Sequence, residues 1–221
     1  MAIHKYDNKV AEKISKHLLK ISSIKIQPND PFTWASGWKS PIYCDNRLSL
    51  SFPKVRSYIK HQLKKIIKEK YKGVQAIAGV ATAGIPQGAL VADELGLPFI
   101  YVRSKTKGHG LQNQIEGLVQ KGLKVVLVED LVSTGGSSLQ ASEAIREADM
   151  EVLGMVSIFT YGLPVSDENF KRHNTELWYL SDYATTIKVG VKKGIIKEEE
   201  VDLLSTWRSN PAQWGQEEEK Y

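Results

Sequence analysis

Cysteine is nearly absent from this chain: of 221 residues, only Cys44 carries a thiol. A single cysteine cannot close an intrachain disulfide or furnish a four-ligand zinc site by itself. That excludes a disulfide scaffold and favours a reducing, cytoplasmic setting, with Cys44 an inert, partly buried small residue. No secretion signal is expected either, because no apolar run follows the charged start at residues 1–9. Residues 73–92 contain no charge, and twenty such positions approach the length of a membrane span. They include Gly73, Gly79, Gly84, Gly88, Gln75, Gln87, Thr82 and Pro86, however, where a lipid-facing helix needs Leu, Ile and Phe. This stretch reads as a buried strand, a small-residue turn and a helix, so no membrane partner is expected. Two nucleotide signatures are missing as well: there is no G-x-x-x-x-G-K-[ST], and no G-x-G-x-x-G follows a strand. Internal repeats and low-complexity tracts are absent.

What remains is ordinary globular material, 42% hydrophobic and 25% charged. At this length one domain covering residues 1–221 is expected. The net charge of +5 hides an asymmetry. Residues 1–110 carry 19 Lys and Arg against 7 Asp and Glu, whereas residues 111–221 carry 11 against 18. A basic half suits a phosphate-bearing partner. Lys60, Lys64, Lys65, Lys68, Lys70 and Lys72 recur around one predicted helix, where solvated lysines need no partner. No helix-turn-helix, zinc-finger or RNA-binding signature accompanies them, so nucleic acid is not expected.

Val10, Ala11, Ile14, Leu18 and Ile21 follow helical spacing. A loop at residues 27–31 comes next, and a second helix starts near Pro53 with Val55, Ile59, Leu63, Ile66 and Ile67 inward. Strands at 74–80, 99–103, 124–128 and 152–159 then alternate with helices at 86–95 and 137–148. A further strand at 177–180 and a helical stretch containing 201–207 complete the pattern. Near-continuous apolar strands alternating with helices predict an α/β fold with a parallel sheet covered on both faces. Such sheets bind ligands beyond the carboxyl ends of their strands. The turns after Val80, Arg103 and Val128 should therefore carry the function.

The most informative turn is Glu129-Asp130-Leu131-Val132-Ser133-Thr134-Gly135-Gly136-Ser137, which follows a buried strand and opens a helix. Gly135 and Gly136 let the backbone curl so that N–H groups converge, and the hydroxyls of Ser133, Thr134 and Ser137 add donors. The helix dipole contributes its positive end. The result is a phosphate cradle, with Glu129 and Asp130 placed to accept from the hydroxyls of an attached sugar. A second cluster, Arg103-Ser104-Lys105-Thr106-Lys107-Gly108-His109-Gly110, suits a departing diphosphate. Its glycines would let it move as a lid.

The stretch Val125–Ser137 resembles the 5-phosphoribosyl 1-pyrophosphate (PRPP) signature of the type I phosphoribosyltransferases. The Arg103–Gly110 cluster, with Asn113-Gln114-Ile115-Glu116-Gly117 after it, resembles the catalytic loop of the orotate phosphoribosyltransferases. Ser36-Gly37-Trp38-Lys39-Ser40-Pro41-Ile42-Tyr43 is similar to the segment with which those enzymes cover their base site. Val80–Pro86 fits the family's short pyrophosphate loop. The resemblance implies a type I phosphoribosyltransferase fold, a mostly parallel central sheet flanked by helices, with a small hood from about residues 1–50. It implies transfer of phosphoribose from PRPP to orotate in pyrimidine biosynthesis. Arg103, Lys107 and His109 would be catalytic and would also bind PRPP, together with residues 129–137. Ser133 and Tyr43 would contact orotate. Mg²⁺ would ride on the diphosphate rather than in a protein-only metal site, and a homodimer would share the catalytic loop across subunits. This chain departs from some members in having Ala35 where they carry lysine, and Ser104 where they carry a second cation. Two rival readings are a type I enzyme acting on a purine and a non-catalytic PRPP-sensing regulator. The Ser36–Asp45 segment disfavours the first, and the intact Arg103/Lys107/His109 set disfavours the second.

Overall fold

A computed structural model of the chain describes residues 2–34, 37–104 and 114–215. Its centre is a seven-stranded sheet. In chain order its strands are β1 (Ile3–Lys5), β6 (Ala76–Val80), β7 (Phe99–Val102), β8 (Ile115–Glu116), β9 (Lys124–Val132), β10 (Glu151–Thr160) and β11 (Leu177–Asp182). They lie in the order β1-β11-β10-β9-β6-β7-β8. Every neighbouring pair is parallel except β7 with β8. The mostly parallel sheet expected from the alternating pattern is therefore present.

Both faces of the sheet are covered, which is why its central strands read as continuous apolar runs. All five residues of β6 are buried. On β9 the pleat sends Val126 and Val128 to one side and Val125 and Leu127 to the other. The first side packs on α1 (Asn8–Lys20), α2 (Pro53–Lys70) and α3 (Gly84–Leu95) through Ile14, Leu18, Ile59, Leu63 and Val91. The second packs on α4 (Gly136–Glu147) and α5 (Pro164–Arg172) through Leu139, Ile145 and Phe170. The uncharged stretch 73–92 is split between β6, a turn and α3. Among the described residues no helix is long and apolar enough to cross a membrane. Two of the α2 lysines do have partners: Lys60 and Lys64 grip Glu94 at 2.6 and 2.9 Å and hold its carboxyl down to about 2. Lys70 lies over the Trp178 ring.

The N-terminal region builds two small hairpins. β2 (Ile24–Ile26) pairs with β5 (Ile42–Cys44), and β3 (Phe32–Thr33) pairs with β4 (Lys39–Ser40), both antiparallel. A short 3₁₀ helix, Asn46–Ser51, joins them to α2. After β11 the chain continues into α6 (Tyr183–Lys192) and α7 (Val201–Ser209). Trp207 on α7 is fully buried and donates from Nε1 to the carbonyl of Lys39, 3.2 Å away. It thereby fastens the hairpins to the body of the protein.

Candidate active site

β9 runs four residues past Val128, so Glu129, Asp130, Leu131 and Val132 are in the strand and the turn begins at Ser133. The extra length is held by β10, whose Ser157, Phe159 and Thr160 pair with Glu129, Leu131 and Val132. Thr160 adds a side-chain bond to the Val132 carbonyl at 3.0 Å. Asn169 of α5 donates to the Thr134 carbonyl at 3.0 Å. The bend itself turns on Gly135, whose φ of +86° is a region that L side chains rarely adopt. The α4 helix starts at Gly136 with no side chain capping it. Its first-turn N–H groups are thus left without the side-chain acceptor that usually satisfies one of them. An anion completes such a terminus directly.

Glu129 is buried and accepts from Ser138 Oγ at 3.0 Å and from the Asp130 N–H at 2.9 Å. Burial drives its carboxyl well above the usual range, and the neighbouring Asp130 charge pushes in the same direction. Asp130 is also raised by burial, with a hydrogen bond from Glu129 opposing the shift. Each acid is therefore harder to ionise than an exposed carboxylate. Behind them, a Cβ on Gly84 would collide with the Val128 carbonyl. Glycine here lets the first turn of α3 lie against the strand just before the acid pair. Asn46 fastens the hood to the same place: its Nδ2 donates to the Asp130 carbonyl at 2.8 Å. Its Oδ1 accepts from Ser23 Oγ at 3.4 Å and from Cys44 Sγ at 3.5 Å.

Where hood and strand ends meet there is a cavity of about 240 Å³, lined among the described residues by Thr33, Trp34, Tyr43, Cys44, Leu131, Ser133 and Tyr161. Ser133 and Tyr43, the two expected base contacts, thus share one wall-to-wall space. Tyr161 follows β10, and its N–H bonds the Val132 carbonyl at 3.1 Å, so it emerges beside Ser133. Its ring is fixed by Trp34, Phe159 and Trp207, with centroids 5.0, 5.7 and 5.8 Å away. Burial keeps the Tyr161 hydroxyl and the Cys44 thiol protonated, raising both well above their ordinary values. Cys44 is therefore an inert thiol, as its surroundings suggest, but it forms part of a ligand-sized wall.

Arg103 stands at the mouth of the loop. Its N–H bonds the Gln114 carbonyl at 2.8 Å, Gln114 Nε2 returns a bond to the Arg103 carbonyl at 2.9 Å, and its Nη1 lies 3.4 Å from Glu116. Arg103 and Gln114, which flank residues 105–113, are thereby held together. Lys107 and His109 lie outside the described residues. A larger cavity of about 720 Å³ extends from Ser104 and Gln114 to Gly136 and the α4 side chains Leu139, Gln140 and Glu143. It leads up to the open N-terminus of α4. Among the described residues no three His, Cys, Asp or Glu side chains converge as a metal site. Of the acid pair, Glu129 points to α4 through Ser138, and Asp130 lies near Asp45 and Arg47 of the hood.

A phosphoribosyl transferase domain matches residues 51–199. The orotate phosphoribosyltransferase of Phocaeicola vulgatus is 56% identical over 207 residues, covering 93% of this chain and 98% of that protein. The chain belongs to the orotate phosphoribosyltransferase family. Among solved structures, the orotate phosphoribosyltransferase of Aeropyrum pernix superposes with a TM-score of 0.72 at 29% identity, over 83% of this chain and 99% of that one. The UMP synthase of Leishmania donovani gives 0.75 at 25% identity; it covers 89% of this chain, which spans 42% of its length.

Within this orotate phosphoribosyltransferase family member, Glu129 through Ser137 run from the end of β9 through the turn into α4. The structure also adds residues that motif reading passed over. Tyr161 and Trp34 wall the cavity, and Asn46 ties its floor to the acid pair. For Tyr161 a signal existed: it comes two residues after a strand predicted to end at Phe159, beyond the carboxyl end where such sheets bind ligands. Asn46 gave none, because its role depends on a carbonyl 84 residues away.

Proposed function

We propose that this protein transfers the 5-phosphoribosyl group of PRPP to orotate, forming orotidine 5′-monophosphate and pyrophosphate. One observation carries the reading: Ser133 both lines the base-sized cavity and begins the turn at the N-terminus of α4. A 5′-phosphate on the turn and a planar base in the cavity would sit on either side of one ribose, within reach of Glu129 and Asp130. As the bond from C1 to pyrophosphate stretches, positive charge builds on the sugar and negative charge on the leaving group. The acids accept from the ribose hydroxyls and fix the ring, while Arg103, Lys107 and His109 neutralise the departing diphosphate. Alignment of the base nitrogen against C1 supplies much of the rest. No covalent nucleophile is needed.

Mg²⁺ would ride on the substrate, held mainly by diphosphate and ribose oxygens, with Glu129 and Asp130 the carboxylates that would stand nearest it. When bound, it neutralises charge on the diphosphate. A cytoplasmic homodimer whose 103–110 loops close over each other's sites completes the proposal. The deciding assay follows orotate absorbance in the presence of PRPP and Mg²⁺, then replaces orotate with adenine, hypoxanthine and uracil. Orotate consumption with release of pyrophosphate is expected. Turnover of a purine in preference to orotate would overturn the reading.

A further inference from the structure

Orotate differs from other pyrimidine bases by a carboxylate, so a site that selects it must supply a counter-charge. The cavity walls do not. Every lining residue among those described is neutral: Thr33, Trp34, Tyr43, Cys44, Leu131, Ser133 and Tyr161. A carboxylate held there without a cation bears a large desolvation cost. Position 35, in the same segment, is alanine and brings no charge.

Three described cations stand on the hood strands and the 3₁₀ helix that follows them: Lys25, Lys39 and Arg47. Lys25 faces Tyr43 across the β2–β5 pair, but among the described residues it bonds to no cavity-lining side chain. Arg47 is already committed: its Nε and Nη2 grip both oxygens of Asp45 at 2.7 and 2.9 Å. Lys39 is not. Its ammonium donates to Thr33 Oγ1 at 2.9 Å, a neutral partner that itself lines the cavity. Among the described residues no carboxylate pairs with it. Its backbone is held by the β3–β4 register, in which Thr33 faces Lys39, and by the Trp207 bond to its carbonyl. A fixed stem, a charge without a carboxylate partner among the described residues and attachment to the cavity wall through one hydroxyl make a cation poised for an anionic ligand.

We infer that Lys39 is the specificity-determining residue for the acidic base, pairing its ammonium with the orotate carboxylate. The inference rests on the proposed transferase reading and deepens it. A purely structural role, stapling the β3–β4 hairpin through Thr33, makes the opposite prediction, because such a staple does not require a particular substrate.

Steady-state kinetics on the full chain separate the two, using Lys39→Gln and Lys39→Met to remove charge and Lys39→Arg to keep it. A charge-assisted hydrogen bond predicts that kcat/KM for orotate falls about ten- to hundred-fold in Lys39→Gln and Lys39→Met. The KM for PRPP should stay within about twofold, with Lys39→Arg restoring most of the loss. The orotate dependence should also weaken at high salt in the wild-type protein and not in Lys39→Gln. Charge-free variants that keep wild-type orotate kinetics would overturn the inference, as would equal rises in both KM values or a Lys39→Arg variant no better than Lys39→Gln. Failure of the wild-type protein to use orotate at all would instead strike the transferase reading itself.

Discussion

The two adjacent glycines of the phosphate turn look interchangeable in the sequence, yet the structure gives them separate tasks. Gly135 sits at φ +86°, and a Cβ there would lie 2.6 Å from Cε2 and 3.1 Å from Cδ2 of Phe170. Gly136 has ordinary helical geometry, and a Cβ there meets only Thr134 Oγ1, at 3.9 Å. Gly135→Ala incurs about 1–2 kcal/mol for the left-handed backbone. Crowding a fully buried ring adds about 1–3 kcal/mol. The sum of about 2–5 kcal/mol lowers the melting temperature by roughly 4–20 °C for a protein of this size. Gly136→Ala should instead leave it unchanged or raise it slightly, since alanine is favoured over glycine by up to about 1 kcal/mol in a helix. Thermal melts of both variants test the folding half. Calorimetric titration with PRPP tests the binding half, where Gly136→Ala should weaken affinity because its methyl faces the open N-terminus of α4. A Gly135→Ala protein that melts like wild type, or a Gly136→Ala protein that falls as far, would refute the assignment.

Glu129→Gln should stabilise the fold in a pH-dependent way. The folded carboxyl titrates above its unfolded value, so stability is fully present below the unfolded pKa and declines as pH rises towards the folded one. The melting-temperature advantage of the glutamine variant should therefore grow between about pH 5 and 8, while PRPP affinity falls. A pH-independent difference in melting temperature would contradict the buried-acid assignment. Asn46→Ala leaves the Asp130 carbonyl without its amide donor, a loss of about 1–3 kcal/mol. It should raise the KM for orotate by loosening the hood over the acids. Unaltered stability together with unaltered orotate kinetics would show that the link is dispensable.

The strands and helices that carry the site were readable because their cause is local. β6, β9 and β10 are apolar runs buried on both faces, and α1 and α2 show one apolar stripe each. The boundary of β9 was misjudged at Val128 because two acids look like the end of a strand. Tertiary pairing with β10 carries the ladder through them, and burial raises their carboxyls instead of ending the strand. The edge strand β1 went unseen: Ile3–Lys5 is three residues long, and its partner is β11, far along the chain. The hood hairpins were equally illegible, since β3 and β4 have two residues each and are held by Trp207 rather than by propensity. Of the site, the PRPP turn was legible as a contiguous string. The base cavity was not, because its walls come from residues 33–44, 131–133 and 161.

The match to the phosphoribosyl transferase domain spans residues 51–199, yet Thr33, Trp34, Tyr43 and Cys44 precede it and Trp207, which clamps them, follows it. The cavity wall is thus shared between the matched body, which supplies Leu131, Ser133 and Tyr161, and two flanking pieces joined by the Trp207 indole and by an Asn29–Glu200 hydrogen bond. Grafting those flanks onto a related central body should rebuild the cavity only where that body keeps the Leu131, Ser133 and Tyr161 side of the wall, whereas grafting either flank alone would strand it without its brace.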